Sequence, residues 1–359
     1  FFLFMQQLKI APSILAIKDL NQLEEEIKKL EAASADLIHI DVMDGIFVQN
    51  KTPFLDPEIT ERIKQRTSLH IDVHLMVQEP EKYINDFLDA GADMISIHCE
   101  STGDHNTTIK KIQATGKKAG IAINPATEIE KVLPFCESAD FILIMTVVPG
   151  KGGQQYMEAV NEKIKTLRHL FPNKDIEVDG GIKQENVYVP INAGANIIVS
   201  GTGIFTTANY KETIEKMKQA IIIGADHAGF PMKERVKQFL QERNYTVIDA
   251  GTDSEQSCDY PDIAKAVANA VSNDPTKKGI LICITGIGMS IAANKYKNVR
   301  AAHVTSPYEA EMTKKHNNAN ILCIGARTTE ENIIMQCIEK WLSSEFEGGR
   351  HERRIGKIE

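Results

Sequence analysis

Three short stretches of this 359-residue chain carry acid and base groups on every second residue. In LIHIDVM (37–43), His39, Asp41 and Met43 alternate with Ile38, Ile40 and Val42. In HIDVHLMV (70–77), Asp72, His74 and Met76 alternate with Ile71, Val73 and Leu75, and in IEVDGG (176–181), Glu177 and Asp179 alternate with Ile176 and Val178. A period of two belongs to a β-strand, whose successive side chains point to opposite faces. The apolar set suits a covering layer of helices, so the charged set must face inward. Buried charge is costly unless compensated. His39, Asp41, His74 and Asp179, near the carboxyl ends of their strands, form a donor set for one divalent metal. Zinc, iron, manganese and cobalt suit it alike, and a metal-free His–Asp hydrogen-bond network is the other reading of the same residues.

The elements that must position these groups recur along the first 218 residues. Strands are predicted at 10–15, 37–43, 70–77, 94–99, 118–123, 141–147, 176–181 and 196–201, separated by helical patterns such as LNQLEEEIKKLEAA, where Leu20, Leu23, Ile27 and Leu30 share a face. Eight such units predict a parallel (β/α)8 TIM barrel over residues 1–218. A weak repeat supports the count: AASADLI, AGADMI, SADFI and AGANII each precede an even-numbered strand. Glycine-rich turns follow the last three strands: VPGKGGQ (148–154), DGG (179–181) and SGTGIF (200–205). Together they predict a cradle of backbone N–H groups for phosphate.

At Met217–His227 the chain changes character, and residues 219–359 begin afresh with a strand running into a glycine turn. Strands at 220–224, 246–250, 279–284, 299–304 and 321–326 predict a doubly wound, Rossmann-like parallel α/β domain, whose ligands sit beyond the strands' carboxyl ends. Asp226 and His227 follow the first of these strands. Cys283 ends the third, beside the turn Thr285, Gly286, Ile287, Gly288, whose amides could stabilise an oxyanion. His316 and the tail cluster Arg350, His351, Arg353 and Arg354 supply further polar groups, and the arginines could clamp a phosphate. The junction has few flexible residues, so a fixed arrangement is expected.

The bulk composition narrows the function classes. Lys plus Arg number 41 against 49 Asp plus Glu, a net charge of −8, which points away from nucleic acid and membrane surfaces but admits small anionic substrates. The six cysteines form no CxxC pair, as expected of reduced thiols in a cytoplasmic protein. The opening FFLFMQQLKI is too short to span a bilayer, and a natural start at Met5 is expected.

The runs APSIL, HIDVMDGIFVQN, DVHLMV, INPAT, PGKGGQ, IEVDGGI and SGTGIF, spread over residues 9–217, strongly resemble ribulose-phosphate 3-epimerase. The resemblance implies a metal on His39, Asp41, His74 and Asp179, and Asp41 with Asp179 as the acid–base pair. It further implies Ser13, His74, Gly150, Gly152, Gly153, Gly180, Gly181, Gly201 and Thr202 around the sugar phosphate, with Met43, Met76 and Met145 as an apolar lid. Two places depart from the family pattern: Lys151 stands where an aromatic residue is usual, either adding a phosphate contact or simply solvated, and NKTPF (50–54) replaces an NLTIG-like segment.

In the second part, GADHAGF, DYPD, GILICITGIGMSIAANK, KKHNNANIL, IGAR and EGGRHERR strongly resemble type B ribose-5-phosphate isomerase. This implies Cys283 as the base between C2 and C1 without metal, His316 opening the furanose ring with Asp226 as helper, and Thr285 in the proton-transfer site. His227, Arg327, Arg350 and Arg354 would bind phosphate, Tyr260 would line the pocket, and Asn317 with the amides of Gly286 and Gly288 would hold the enediolate. Ile284 replaces the glycine usual after the catalytic Cys, which is expected to aim the first amide of the turn differently. A homodimer or higher homo-oligomer is implied. The two resemblances share ribulose 5-phosphate, which makes a bifunctional pentose-phosphate isomerase the expected function. The alternatives are an allulose-6-phosphate 3-epimerase joined to an allose-6-phosphate isomerase, or one half serving only dimerisation or sensing.

Overall fold

Every predicted strand is present, and the thirteen strands among the described residues fall into two sheets. The computed structural model describes residues 7–274 and 276–358; the expected start at Met5 lies outside them. The chain divides into two compact units between Lys218 and Gln219.

In the first unit the strands are β1 (Lys9–Pro12), β2 (Leu37–Met43), β3 (His70–Met76), β4 (Met94–His98), β5 (Lys118–Ile123), β6 (Phe141–Met145), β7 (Asp175–Asp179) and β8 (Ile197–Ser200). They form one parallel sheet in the order β1-β8-β7-β6-β5-β4-β3-β2. A bridge between Ser13 and His39 and a hydrogen bond from Asp36 N to Ile10 O (3.0 Å) bring the two end strands together. The result is a near-closed barrel.

The repeat noticed in the sequence has a mechanical meaning. Asp36, Asp93, Asp140 and Asn196 each precede an even strand, and each side chain accepts the N–H of a residue near the start of the preceding odd strand. The donors are Ile10, Ile71, Ala119 and Ile176, at 2.8, 3.0, 2.8 and 2.8 Å. Each also donates its own backbone N–H to the carbonyl of that same residue. Four identical clamps thus set the register of odd against even strands at the amino-terminal rim. Satisfying these backbone groups matters because an unpaired buried N–H costs about 1–3 kcal/mol.

Above the clamps the interior is apolar: Ala11, Leu37, Met94, Phe141, Ile197 and Val199 cluster there. Gly120 makes room for Phe141, since a Cβ at residue 120 would lie 2.3 Å from the ring. Beyond this floor the inward positions turn polar, which is where His39, Asp72 and Glu177 lie.

The second unit contains β9 (Ile221–Ala225), β10 (Val247–Asp249), β11 (Lys278–Cys283), β12 (Ala301–His303) and β13 (Ile321–Gly325), all parallel, in the order β10-β9-β11-β13-β12. Two apolar clusters are built from alternate residues of these strands. One gathers Ile221, Ile223, Ile280, Ile282 and Trp341; the other gathers Ile222, Leu281, Cys283 and Cys323. A sheet apolar on both faces is the signature of helices packed on both sides. No helix among the described residues is long and apolar enough to cross a membrane.

Candidate active sites

The register of β2 against β3 sets His39 beside Asp72, Asp41 beside His74 and Met43 beside Met76, while β6 sets Met145 beside Asp179 on β7. The four expected metal ligands converge: one donor atom from each of His39, Asp41, His74 and Asp179 lies within 4.8 Å of the others. Asp41 Oδ1 is 3.4 Å from His74 Nδ1 and 3.5 Å from His39 Nε2, and Asp179 Oδ2 is 3.9 Å from His74 Nδ1. His39 Nε2 and His74 Nδ1 are buried without a hydrogen-bond partner.

Groups behind the cluster decide where the imidazole protons sit. Asp72 Oδ2 lies 2.6 Å from His39 Nδ1. A carboxylate can only accept, so Nδ1 carries a proton and Nε2 is turned toward Asp41. For His74 the chain is longer: Glu100 Oε2 is 3.1 Å from His98 Nδ1, and His98 Nε2 is 2.8 Å from His74 Nε2. Reading outward from Glu100, His98 Nδ1–H donates, His98 Nε2 accepts from His74 Nε2–H, and the lone pair of His74 Nδ1 is left facing Asp41 and Asp179. Outer partners that fix a ligand's tautomer in this way are characteristic of metal sites. The orphaned imidazole nitrogens and two carboxylates therefore fit a divalent cation.

Electrostatics agree that the cluster demands positive charge. Burial disfavours a charged His39, yet Asp72 and Asp41 outweigh it and raise its pKa well above the usual histidine value. Burial takes His74 down to about 4, opposed by Asp41 and reinforced by His98. The two carboxyls of the cluster separate. Burial would raise Asp41, but His39 and His74 hold it below the usual carboxylate range, whereas burial and then the Asp41 charge push Asp179 up to about 7. Glu177 is raised well above its ordinary value by burial and by Asp72. Two carboxyls driven to different protonation states is the pattern expected of an acid and a base.

Asp41 and Asp179 open on a cavity of about 520 Å³ also lined by Ser13, Met43, Met76, Met145, Gly150, Lys151, Gly152, Gly153, Gly180, Gly181, Gly201 and Thr202. Every barrel residue expected around the sugar phosphate is here except His74, which lies below the surface, fully buried. Ser13 Oγ donates to Asp41 Oδ2 at 2.6 Å. Gly180 and Gly181 have φ of +124° and +68°, and a Cβ at 181 would stand 2.4 Å from Tyr156 N. Only glycine permits that turn. His98 and Glu100 were not singled out from the sequence, although Met94, Ser96 and His98 share the inward face of β4. The same alternation would have found His98.

In the second unit the expected residues fall into two groups. At the carboxyl end of the sheet, Cys283 closes β11, Asp226 and His227 follow β9, and Arg327 follows β13, with Arg327 N donating to Ile284 O at 3.1 Å. Tyr260 covers Gly288, where a Cβ would meet its ring at 2.8 Å. The buried carboxyl of Asp226 accepts from Gly229 N at 2.9 Å. Gly286 N donates to Cys283 Sγ at 3.1 Å, so this amide serves the sulfur. Thr285 Oγ1 lies 3.4 Å from Ile287 N. Ile284 has no positive φ; the left-handed position in the turn is Gly286, φ +78°. A β-branched residue at 284 therefore adds no backbone strain.

His316 and Asn317 end the helix Pro307–Asn317, which runs back from β12 to the start of β13. Asn320 O accepts from Gly279 N, so they lie at the amino end of the sheet. Four residues of β11, about 13 Å along the strand, separate that end from Cys283. The His316 ring stacks on His351 with centroids 4.2 Å apart, and Glu347 Oε2 is 3.8 Å from Nε2 of each. Arg350 and Arg354 stand on the helix Arg350–Ile355 that carries His351. No hydrogen bond or ion pair among the described residues joins this group to Cys283.

Comparison with known proteins follows the same division. Residues 9–205 match the ribulose-phosphate 3 epimerase family. The chain belongs to that family. A ribulose-phosphate 3-epimerase from Synechocystis is 46% identical over 220 residues, spanning 59% of this chain and 93% of the relative. A chloroplastic ribulose-5-phosphate-3-epimerase from Arabidopsis thaliana is 41% identical over 215 residues, spanning 58% and 75%. Residues 221–358 match the Ribose/Galactose Isomerase family. A solved ribose-5-phosphate isomerase B from Clostridium thermocellum is 47% identical, covering 39% of this chain and 94% of its own, with a TM-score of 0.38. So low a score adds nothing to the fold described above. Both families are isomerases, so the protein is an enzyme of that class with an epimerase-family and an isomerase-family domain.

Proposed function

We propose that the barrel epimerises ribulose 5-phosphate at C3 and that the second unit interconverts ribose 5-phosphate and ribulose 5-phosphate. The observation that carries the first half is the convergence of His39, Asp41, His74 and Asp179 beneath a glycine-rimmed cavity. Inverting a carbon beside a carbonyl requires one group to take a proton from it and another to return one. Asp41, ionised and held by Ser13, serves as one of the pair, and Asp179, titrating near neutrality, as the other. A divalent cation held by the four residues would supply positive charge against the substrate's oxygens and make the C3 proton more acidic. Met43, Met76 and Met145 keep water from the reacting carbon. The glycine amides after β6, β7 and β8 take the phosphate.

In the second unit Cys283 moves the proton between C2 and C1, and the Gly286 N–H donates to its sulfur at 3.1 Å. His316 opens the sugar ring, and Arg350 and Arg354 bind phosphate. Because these groups lie at the opposite end of the sheet from Cys283, a second copy of the chain brings them in. Ile284, Ile287 and Ile291, at 42%, 52% and 59% exposure around the Cys283 turn, form the apolar surface such a copy would cover.

The test is one coupled assay on single variants. Asp41→Asn and Asp179→Asn should each lower epimerisation by at least about 10³-fold and leave isomerisation intact, and Cys283→Ala should do the reverse. If neither substitution touches its own reaction, the assignment fails.

A further inference from the structure

Both places where the barrel departs from its family's sequence pattern put a lysine on the same cavity. Lys51 follows β2, Lys151 follows β6, and both line the cavity, joined there by Lys18 after β1. Asn50 Nδ2 donates to Gly150 O at 2.6 Å, so two of the three loops are tied side by side. All three lysines are exposed, and among the described residues none of them forms an ion pair. Nearby acids are already engaged. Asp19 accepts from Asn21 N, and Asp44 accepts from the backbone of Ile46, Phe47 and Gln78. Three uncommitted ammonium groups ringing one opening contrast with a chain whose net charge is −8.

The glycine turns after β6, β7 and β8 line the same cavity, and backbone amides suit fixed contact with a phosphate, which leaves the lysines another task. Lysine is a hydrated point charge on a flexible stem, suited to attraction at a distance more than to fixed contact. We propose that Lys18, Lys51 and Lys151 form an anion-gathering rim. It draws the phosphate dianion of the sugar to the epimerase cavity and selects doubly charged esters over singly charged or neutral sugars. This rests on the reading that the barrel takes a sugar phosphate. Charges in a focused opening raise encounter rates by roughly 10 to 10³, and salt removes the effect because screening acts within about 8 Å at physiological ionic strength.

The experiment compares the whole chain with a variant carrying Lys18→Met, Lys51→Met and Lys151→Met, following epimerase kcat/KM from about 20 to about 500 mM NaCl. The wild type should fall at least about tenfold across this range. The variant should be nearly flat, start at the wild type's high-salt value and lose its efficiency through KM. Isomerase activity of the same molecules reports folding. An unchanged salt slope, or an equal loss at every salt concentration, overturns the proposal. Calorimetry of inorganic phosphate binding separates this idea from the function beneath it, since the isomerase half is identical in both proteins and cancels in their difference. If the wild type does not epimerise, the function fails, and the rim then stands or falls on whether that difference disappears in high salt.

Discussion

Glu100 touches none of the four clustered residues, yet Glu100→Gln should weaken their affinity for a divalent cation. The carboxylate uses both oxygens: Oε1 accepts from Asn124 N at 2.8 Å and Oε2 from His98 Nδ1 at 3.1 Å. Burial alone would raise this carboxyl, but His98 holds it at about 2, so it stays ionised across the neutral range. A glutamine offers one acceptor oxygen, and if that remains with Asn124 its NH₂ group faces His98 Nδ1. His98 then carries its proton on Nε2, His74 Nε2 becomes the acceptor, and the remaining proton of His74 moves to Nδ1, where the lone pair had faced Asp41. Restoring the lone pair leaves one buried polar group without its partner, about 1–3 kcal/mol. That corresponds to roughly a 10- to 100-fold weaker metal affinity, the usual size of an outer-partner effect. Competition between the metal-stripped full chain and a chromophoric zinc chelator measures this directly, without activity. A dissociation constant within about twofold of the wild type, in a variant that folds normally, would refute the tautomer chain.

Other outcomes follow from the same geometry. Mixing Cys283→Ala and His316→Ala proteins, each inactive as an isomerase, should restore about a quarter of the wild-type activity after subunit exchange, because a mixed dimer carries one intact site of two; no recovery would mean each chain completes its own site. Asp93, one of the four rim clamps, is raised by burial but held at about 2 by Lys117, Lys64 and Ile71 N. Its folded-state pKa lies below the unfolded value near 3.9, so its contribution is present above about pH 4 and lost as pH falls toward 2. Asp93→Asn should therefore cost on the order of 1 kcal/mol at pH 7, and melting curves of the two proteins should converge in acid. Gly181→Ala must accept φ +68° and a 2.4 Å approach to Tyr156 N; a loss of about 1–3 kcal/mol in stability and a raised epimerase KM are expected, and a neutral result would show that the turn can relax.

The strands were legible because alternation is a strong signal where one face meets helices and the other an interior. Their ends were less so. The run 10–15 reads as one strand, but β1 stops at Pro12, because Ser13 caps the next turn by accepting from Leu15 N while donating to Asp41. Residue 13 is thus bent by the very contact that makes it useful. The four clustered residues were visible from period and residue type, whereas Glu100 was not, since it lies just beyond β4 and reaches them only through His98. In the second unit the motifs named the candidate residues and implied a homo-oligomer, but not which residues stand at which end of the sheet. Motifs compared along a sequence look adjacent, while the placement of His316 follows from the helix Pro307–Asn317 returning to the opposite edge of the sheet.

That separation makes the two activities differ in how they respond to dilution. The barrel brings Asp41, Asp179 and the glycine turns to one cavity within a single polypeptide and should keep its specific activity down to any concentration at which it stays folded. On the proposed shared site the other reaction needs a second subunit, so it should fade once subunits part. A cell or an assay that thins this enzyme enough would be left with a catalyst for one step out of two.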